Sequence, residues 1–314
     1  MNLLITRCLP EQTVTAAKSH FDVTYRAETT PLSPADLRAA LQDYDAILPT
    51  LGDQFRADVF QAVPQPRTRI LANFGVGYNH IDVAAARAAG LQVTNTPGAV
   101  TDATADIALT LILMSARRAG EGERMVRAGL WQGWHPTQML GAHVSGKTVG
   151  IIGMGRIGQA VARRCHHGFG MQVIFHNRSA LTLDFPATGA PLAETLKADF
   201  VVVAVPASPQ THHLIGAQAL SQMRPTAHLI NIARGDIVDE SALIHALQSH
   251  QIAGAGLDVY EFEPKIPPAL LALENVTLLP HLGTAALEVR QAMGQMAVNN
   301  LIAHLEGQPL PNPV

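Results

Sequence analysis

The 314 residues are enough for two domains, and 47% apolar against 15% charged residues can bury a full core, which excludes a disordered chain. With Lys+Arg 22 against Asp+Glu 25 the formal net charge is −3, and at a pI of about 6.5 there is no electrostatic footprint for binding nucleic acid. Only Cys8 and Cys165 are present, which excludes a disulfide framework and suits a reducing compartment. The first residues lack the basic region and long apolar run of a signal peptide. The longest apolar stretch, 107–116, falls well short of the roughly 20 residues needed to span a bilayer, so a cytoplasmic protein with no membrane partner is expected.

In chain order, β-branched and leucine-rich runs alternate with alanine-rich helical segments, the pattern of parallel sheets covered by helices, and the class is α/β. The first hundred residues predict strands over 3–6, 22–25, 46–49, 69–72 and 92–94, with helices between them such as 33–42 and 83–89. Ser33 and Asp36 stand as N-cap and N3 of a shortened capping box, with Pro34 at N1. The segment 101–119, with Ile107, Leu111 and Met114 at helical spacing, reads as a long linking helix. A second series of strands follows over 148–152, 172–175, 200–205, 228–232, 254–259 and 276–279. A last helix over 285–306 offers Leu287, Met293, Met296, Val298 and Leu301 for packing. Its return to the first unit would make that unit discontinuous, which gives domains of 1–98 with 285–314, and 99–284.

Gly153-Met154-Gly155-Arg156-Ile157-Gly158 fits G-x-G-x-x-G between a buried strand and a helix, the setting in which this pattern binds a dinucleotide. Gly153 makes the tight turn, Gly155 admits the pyrophosphate to the backbone, and Gly158 permits close helix packing, while unpaired N–H groups at the helix start receive the phosphate charge. About 20 residues on, an NAD site places a carboxylate. Here stand His176-Asn177-Arg178-Ser179, with a cation and a hydroxyl suited to a 2′-phosphate, so NADP(H) is the expected cofactor with NAD(H) as the alternative.

Further stretches resemble the D-isomer-specific 2-hydroxyacid dehydrogenases, in particular the glyoxylate/hydroxypyruvate reductase branch. They are Asn73-Phe74-Gly75-Val76-Gly77-Tyr78-Asn79-His80-Ile81-Asp82, Asn95-Thr96-Pro97-Gly98, Thr104-Ala105-Asp106 with Arg117-Arg118, and Asn231-Ile232-Ala233-Arg234-Gly235. Gly256-Leu257-Asp258-Val259, Glu261-Phe262-Glu263-Pro264 and Pro280-His281-Leu282-Gly283 complete them, in the family's order from about residue 45 to 285. The resemblance implies a Rossmann domain beside a smaller, flavodoxin-like discontinuous domain, a homodimer, and a 2-keto or 2-hydroxy acid substrate. It puts the catalytic residues at Arg234, Glu263 and His281. Reduction of a keto acid needs a hydride, a proton for the oxyanion and a cation for the carboxylate. His281 would be the acid, its imidazolium favoured by Glu263, and Arg234 the planar fork that orients carboxylate and carbonyl.

By the same resemblance the backbone of Val76 and Gly77 would bind the substrate carboxylate. Cofactor contacts would come from Val76, Thr104, Arg156, Ile157, Val205, Pro206, Thr211, Ile232, Ala233, Arg234, Asp258, His281 and Gly283, besides the glycines and Asn177, Arg178 and Ser179. Trp131, Trp134 and Pro136 match the branch, but Thr137-Gln138-Met139 departs from reductases that carry a tryptophan near here to close the partner's pocket. Larger 2-ketoaldonates such as 2-ketogluconate therefore stay open as substrates, unless Gln138 lies on the dimer surface away from substrate. The family also contains nucleotide-sensing corepressors, but no disordered or proline-rich tail favours that class here. The tandem pairs His166-His167 and His212-His213 are not expected to bind metal, because neighbours on a helix or strand diverge. Cys165 is expected to be a buried small hydrophobe.

Overall fold

A computed structural model describes residues 1–314, and they fall into two compact units, one of Met1–Val100 with Thr284–Val314 and one of Thr101–Gly283. The first carries β1 (Asn2–Ile5), β2 (Asp22–Tyr25), β3 (Ala46–Leu48), β4 (Ile70–Ala72) and β5 (Gln92–Thr94) in a parallel sheet of order β2-β1-β3-β4-β5. The second carries β6 (Thr148–Ile152), β7 (Gln172–His176), β8 (Thr188–Gly189), β9 (Phe200–Val203), β10 (His228–Asn231), β11 (Gly254–Leu257) and β12 (Val276–Leu278). Its order is β12-β11-β10-β9-β6-β7-β8, again all parallel. The first order is that of flavodoxin-like sheets. The second is the Rossmann order extended by one strand, with its topological switch between β6 and β9, where open sheets place ligands.

Strands covered by helices on both faces need apolar residues at successive positions. The Phe-Val-Val-Val of β9 and the Ala-Ile-Leu of β3 are buried throughout, and each such large aliphatic side chain contributes about 1.5–3 kcal/mol. Helix Pro34–Asp43 begins with the expected reciprocal cap: Asp36 N–H donates to Ser33 Oγ (3.2 Å) and Ser33 N–H to Asp36 Oδ2 (3.3 Å).

Two helices differ from their sequence reading. Helix Thr101–Ala116 opens the second unit, inside the expected bounds of 99–284, and packs there against β10, β11 and helix Arg156–Phe169. Its buried stripe runs through Ala105, Ala108, Leu111, Ile112 and Ala116 rather than Ile107 and Met114. Alanines allow the approach: a Cβ on Gly256 of β11 would lie 2.9 Å from Leu111 Cβ. The helix ends at Ala116, Arg118 turns left-handed at φ 53°, and a second helix follows over Ala119–Arg127. The last helix, Leu287–Leu305, packs in the first unit on helix Glu11–Lys18 and β4 through Met293, Ala297, Val298 and Leu301. Leu287 stays exposed, and Gly294 meets Thr13 so closely that a Cβ there would overlap its hydroxyl at 1.9 Å. No helix is long and apolar enough to cross a membrane.

Candidate active site

The chain leaves β6 through Gly153, held at φ 98° with its N–H donating to His176 O (2.9 Å). A Cβ at Gly153 would stand 2.7 Å from Val205, and one at Gly158 would stand 2.1 Å from Gly153 O, so these two glycines let the loop, β9 and the following helix touch. Gly155 differs: a Cβ there would meet nothing within 4 Å. It is the N-cap of helix Arg156–Phe169, which has no side-chain cap, so the first N–H groups and the positive helix end face open space. That space fits a pyrophosphate. Arg156 beside it is exposed and makes no ion pair.

Past the end of β7, Asn177 is committed to the protein: Met154 N–H donates to its Oδ1 (3.2 Å), and its Nδ2 donates to Ser179 O (2.9 Å). It couples this loop to the glycine loop. Arg178 and Ser179 are exposed, and Arg178 has no carboxylate partner. After β9, Thr211 closes the 206–211 turn by donating to Pro206 O (2.8 Å) and accepting from Ser208 N–H (2.8 Å). Val205 is half-buried, Pro206 exposed and Ile232 buried.

Arg234, Asp258 and His281 follow the C-terminal ends of β10, β11 and β12. Asn231 shapes the first turn, accepting from Ala233 N–H (3.1 Å) and donating to Arg234 O (2.9 Å). Arg234 donates through Nη1 to Ala233 O (2.7 Å). Burial presses its guanidinium pKa down against the pull of Glu263 and Asp236, yet an arginine stays charged in a protein. Gly235 lies on the Tyr260–Glu261 peptide, where a Cβ would sit 1.8 Å from Tyr260 C.

His281 holds φ 55°, a left-handed backbone that is costly for a residue with a Cβ. Asp258 supports it with three bonds. Its carbonyl accepts from His281 N–H (2.9 Å), and its carboxylate accepts from Leu282 N–H (2.6 Å) and Gly283 N–H (2.8 Å). Burial raises the Asp258 carboxyl pKa, with the two N–H donors and His281 opposing. Thr104 donates to Gly283 O (3.1 Å), closing the loop from the other side.

His281 Nδ1 lies 2.9 Å from Glu263 Oε2, while Glu263 Oε1 accepts from Tyr260 N–H (3.0 Å). Burial disfavours the Glu263 charge, but the bond to His281, its charge, the Tyr260 N–H and Arg234 outweigh burial and hold the carboxyl below its usual range. A carboxylate only accepts, so Nδ1 carries the proton in this bond and Nε2 is left to exchange one.

In the first unit, Gly75, Val76 and Gly77 form a loop whose carbonyls all point to amides. Asn73 Nδ2 donates to Gly75 O (2.9 Å) and Gly77 O (3.0 Å), and Asn95 Nδ2 to Val76 O (2.9 Å). The N–H groups of Val76 and Gly77 make no internal bond, which is the polarity a carboxylate needs.

Sequence reading did not single out Asn73, Asn95, Asn231 or Glu240 as supports of these loops. The tandem His212-His213 lies in a turn rather than a helix or strand, with His213 at φ 49° and the rings stacked at 4.0 Å, so these neighbours do not diverge. Their donor atoms and that of Glu261 lie within 4.8 Å of one another, and His213 Nε2 is bonded to Glu261 Oε1 (2.9 Å). Gln138 serves its own segment: with its amide oriented to satisfy both contacts it donates to Gly133 O (3.1 Å) and accepts from Trp131 Nε1 (3.0 Å). Cys165 is fully buried, its thiol pKa pushed up to about 12 by burial.

Known proteins share this architecture. Residues 109–283 match the family model described as D-isomer specific 2-hydroxyacid dehydrogenase, NAD binding domain. The chain is 44% identical to a glyoxylate reductase of Thermococcus gammatolerans, over 98% of its own length and 94% of the relative's. A Thermus thermophilus protein of known structure superposes with a TM-score of 0.91 at 41% identity, covering 100% of both chains. The NADPH-dependent glyoxylate/hydroxypyruvate reductase of Sinorhizobium meliloti, solved with NADP and malonate, gives 0.89 at 35% identity, covering 100% of this chain and 96% of that one. The chain belongs to the D-isomer-specific 2-hydroxyacid dehydrogenase family. Within it, the chain falls in the glyoxylate/hydroxypyruvate reductase branch.

Proposed function

We propose that this protein reduces a small 2-keto acid, glyoxylate or hydroxypyruvate, to the 2-hydroxy acid with NADPH, giving the D-isomer where the product is chiral. The 2.9 Å pair of His281 and Glu263, at the strand ends that also carry Arg234, is the observation on which this rests. A bound reduced nicotinamide supplies the hydride. Arg234 binds the substrate carboxylate and polarises the carbonyl. In the first unit, the N–H groups of Val76 and Gly77 form a loop suited to a carboxylate. His281 Nε2 delivers the proton to the developing oxyanion, and Glu263 stabilises the imidazolium before that transfer.

Gly153, Gly155, Gly158 and the N–H groups of Arg156 and Ile157 would seat the pyrophosphate. Unpaired, exposed Arg178, with Ser179, supports binding of a 2′-phosphate. A homodimer is proposed from the run of exposed apolar side chains Leu130, Trp131, Trp134 and Leu140, with a cytoplasmic setting supported by two free cysteines.

The test is a matrix of initial rates for glyoxylate, hydroxypyruvate, pyruvate and 2-ketogluconate with NADPH and NADH, in wild type and Arg178→Ala. The expected result is fastest turnover of a two- or three-carbon acid with NADPH. A charge-assisted contact is worth ~1.5–3 kcal/mol, so Arg178→Ala should weaken NADPH by about 10- to 100-fold and leave NADH nearly unaffected. Equal loss for both cofactors refutes the 2′-phosphate assignment; absence of turnover with every acid refutes the enzymatic reading.

A further inference from the structure

Glu240 is the first residue of helix Glu240–Gln248 and is 5% exposed, an unusual position for a carboxylate on a helix start that is already capped by Asp239 through Ala242 N–H (3.0 Å). The Asp239 cap leaves Glu240 free to turn inward. There its Oε1 accepts from Glu261 N–H at 2.8 Å, across 21 residues of chain. Its Oε2 is buried without a hydrogen-bond partner. Burying a carboxylate with half of its acceptor capacity unused costs free energy that an apolar side chain would not. Local stability therefore does not explain the residue.

The bond it makes does. Glu261 begins the short segment that ends in Glu263, and that segment is also gripped by His213 on the Glu261 side chain (2.9 Å) and by Tyr260, whose hydroxyl donates to Leu279 O (2.8 Å). On the other side, the chain entering helix Glu240–Gln248 comes from the Arg234–Gly235 turn, which lies directly on the Tyr260–Glu261 peptide. Glu240 therefore spans the turn that carries Arg234 and the segment that carries Glu263.

We propose that Glu240 is a positioning residue for this reaction, its buried carboxylate holding the Glu261 peptide so that Glu263 meets His281 while Arg234 keeps its place beside them. The proposal rests on the reading of His281 as acid and Glu263 as its partner. The charged groups around these residues are Arg234 and Asp236 after β10, Asp258 after β11, Glu261 and Glu263 on the following segment, and His213 from the 211–215 turn. Glu261 and Glu263 both oppose ionisation of Glu240, in the same sense as its burial. A bond to a peptide N–H does not require the charge, so an amide of the same length should substitute for the carboxylate.

Three variants separate geometry from charge. Glu240→Gln keeps an acceptor at the same reach, Glu240→Asp keeps the charge but withdraws the acceptor by one methylene, and Glu240→Leu removes the acceptor. Each is assayed for kcat and KM with glyoxylate across pH, for NADPH affinity by fluorescence, and for Tm, with His281→Asn as control. A misplacement near 1 Å costs about 100-fold, so Leu and Asp should lower kcat by about 10- to 100-fold and move the alkaline limb of keto-acid reduction to lower pH, with NADPH affinity intact. Gln should recover most of the turnover and the wild-type limb.

If Leu and Asp keep wild-type kcat and limb while Tm falls, Glu240 is only structural and the proposal fails. It fails equally if Asp works and Gln does not, because charge and not reach would then matter. Should Leu not fold, the Asp and Gln comparison decides alone. A limb that survives in His281→Asn overturns the reading of the acid itself, and this proposal with it, whatever the Glu240 variants show.

Discussion

Replacing Glu263 by Gln is the sharpest probe of the acid. Gln keeps the shape, and its Oε1 can still accept from Tyr260 N–H, but the amide nitrogen now faces His281 Nδ1, where the carboxylate accepted a proton at 2.9 Å. The imidazolium loses a charge-assisted partner worth ~1.5–3 kcal/mol, the same bond that holds the Glu263 carboxyl below its usual range. Both side chains are about one-third exposed, 30% and 32%, so solvent screens the pair and the lower end of that range is expected. The sign follows from the direction of reaction. With His281 as the proposed acid, reduction requires the protonated ring and falls as pH rises, so its limb should move to lower pH in Glu263→Gln, and the rising limb of hydroxy-acid oxidation should move the same way. The assay is kcat/KM against pH in both directions. A limb that stays at the wild-type pH, or moves upward, would show that Glu263 does not stabilise the charged ring.

Other perturbations test separate parts. Gly155→Ala adds a methyl to open space and should leave Tm unchanged while weakening NADPH by about 10-fold or more, whereas Gly158→Ala collides with Gly153 O and should cost about 1–3 kcal/mol of stability as well. Wild-type NADPH affinity in Gly155→Ala, read by fluorescence titration, would remove the phosphate from this loop. Arg234→Lys should damage KM and kcat together, since a point charge cannot orient two oxygens as a planar fork does; a change in KM alone would limit Arg234 to binding. His228, buried and bonded to Ser115 (2.7 Å), has its pKa lowered by burial from 6.5 to about 4. The unfolded chain thus binds this proton first, and stability that is full above about pH 6.5 should decline toward pH 4, by up to about 3 kcal/mol for this one group. Denaturant titrations of His228→Asn should show a shallower loss over that window; an unchanged slope would assign acid sensitivity elsewhere.

The nucleotide loop was readable in the sequence because strand, glycines and amphipathic helix are contiguous, so each contact is local. Arg234, Glu263 and His281 became readable only through resemblance, since three separate strands bring them to one sheet edge. The supports were not readable at all. Asn95 acts on Val76 and Glu240 on Glu261, contacts between a side chain and a distant peptide that leave no periodicity. In helix Thr101–Ala116 only part of the buried stripe is legible: it relies on Ala105 and Ala108, whose value is smallness, while Ile107 and Met114 carry the stronger apolar signal. The two residues of β8 are too few to show a pattern.

The inward-turned carbonyls of Gly75, Val76 and Gly77 have a bearing on how pH experiments are interpreted. Asn73 and Asn95 do not titrate, nor do the peptide N–H groups of Val76 and Gly77, which make no internal bond. A carboxylate held there feels the same grip from acid to alkaline solution. Such a loop acts as a constant reference, so the pH dependence of an anion's affinity must be generated by groups outside it. If this loop is where a simple carboxylate binds, the affinity of that carboxylate should be flat with pH, and a titrating profile would place its binding elsewhere.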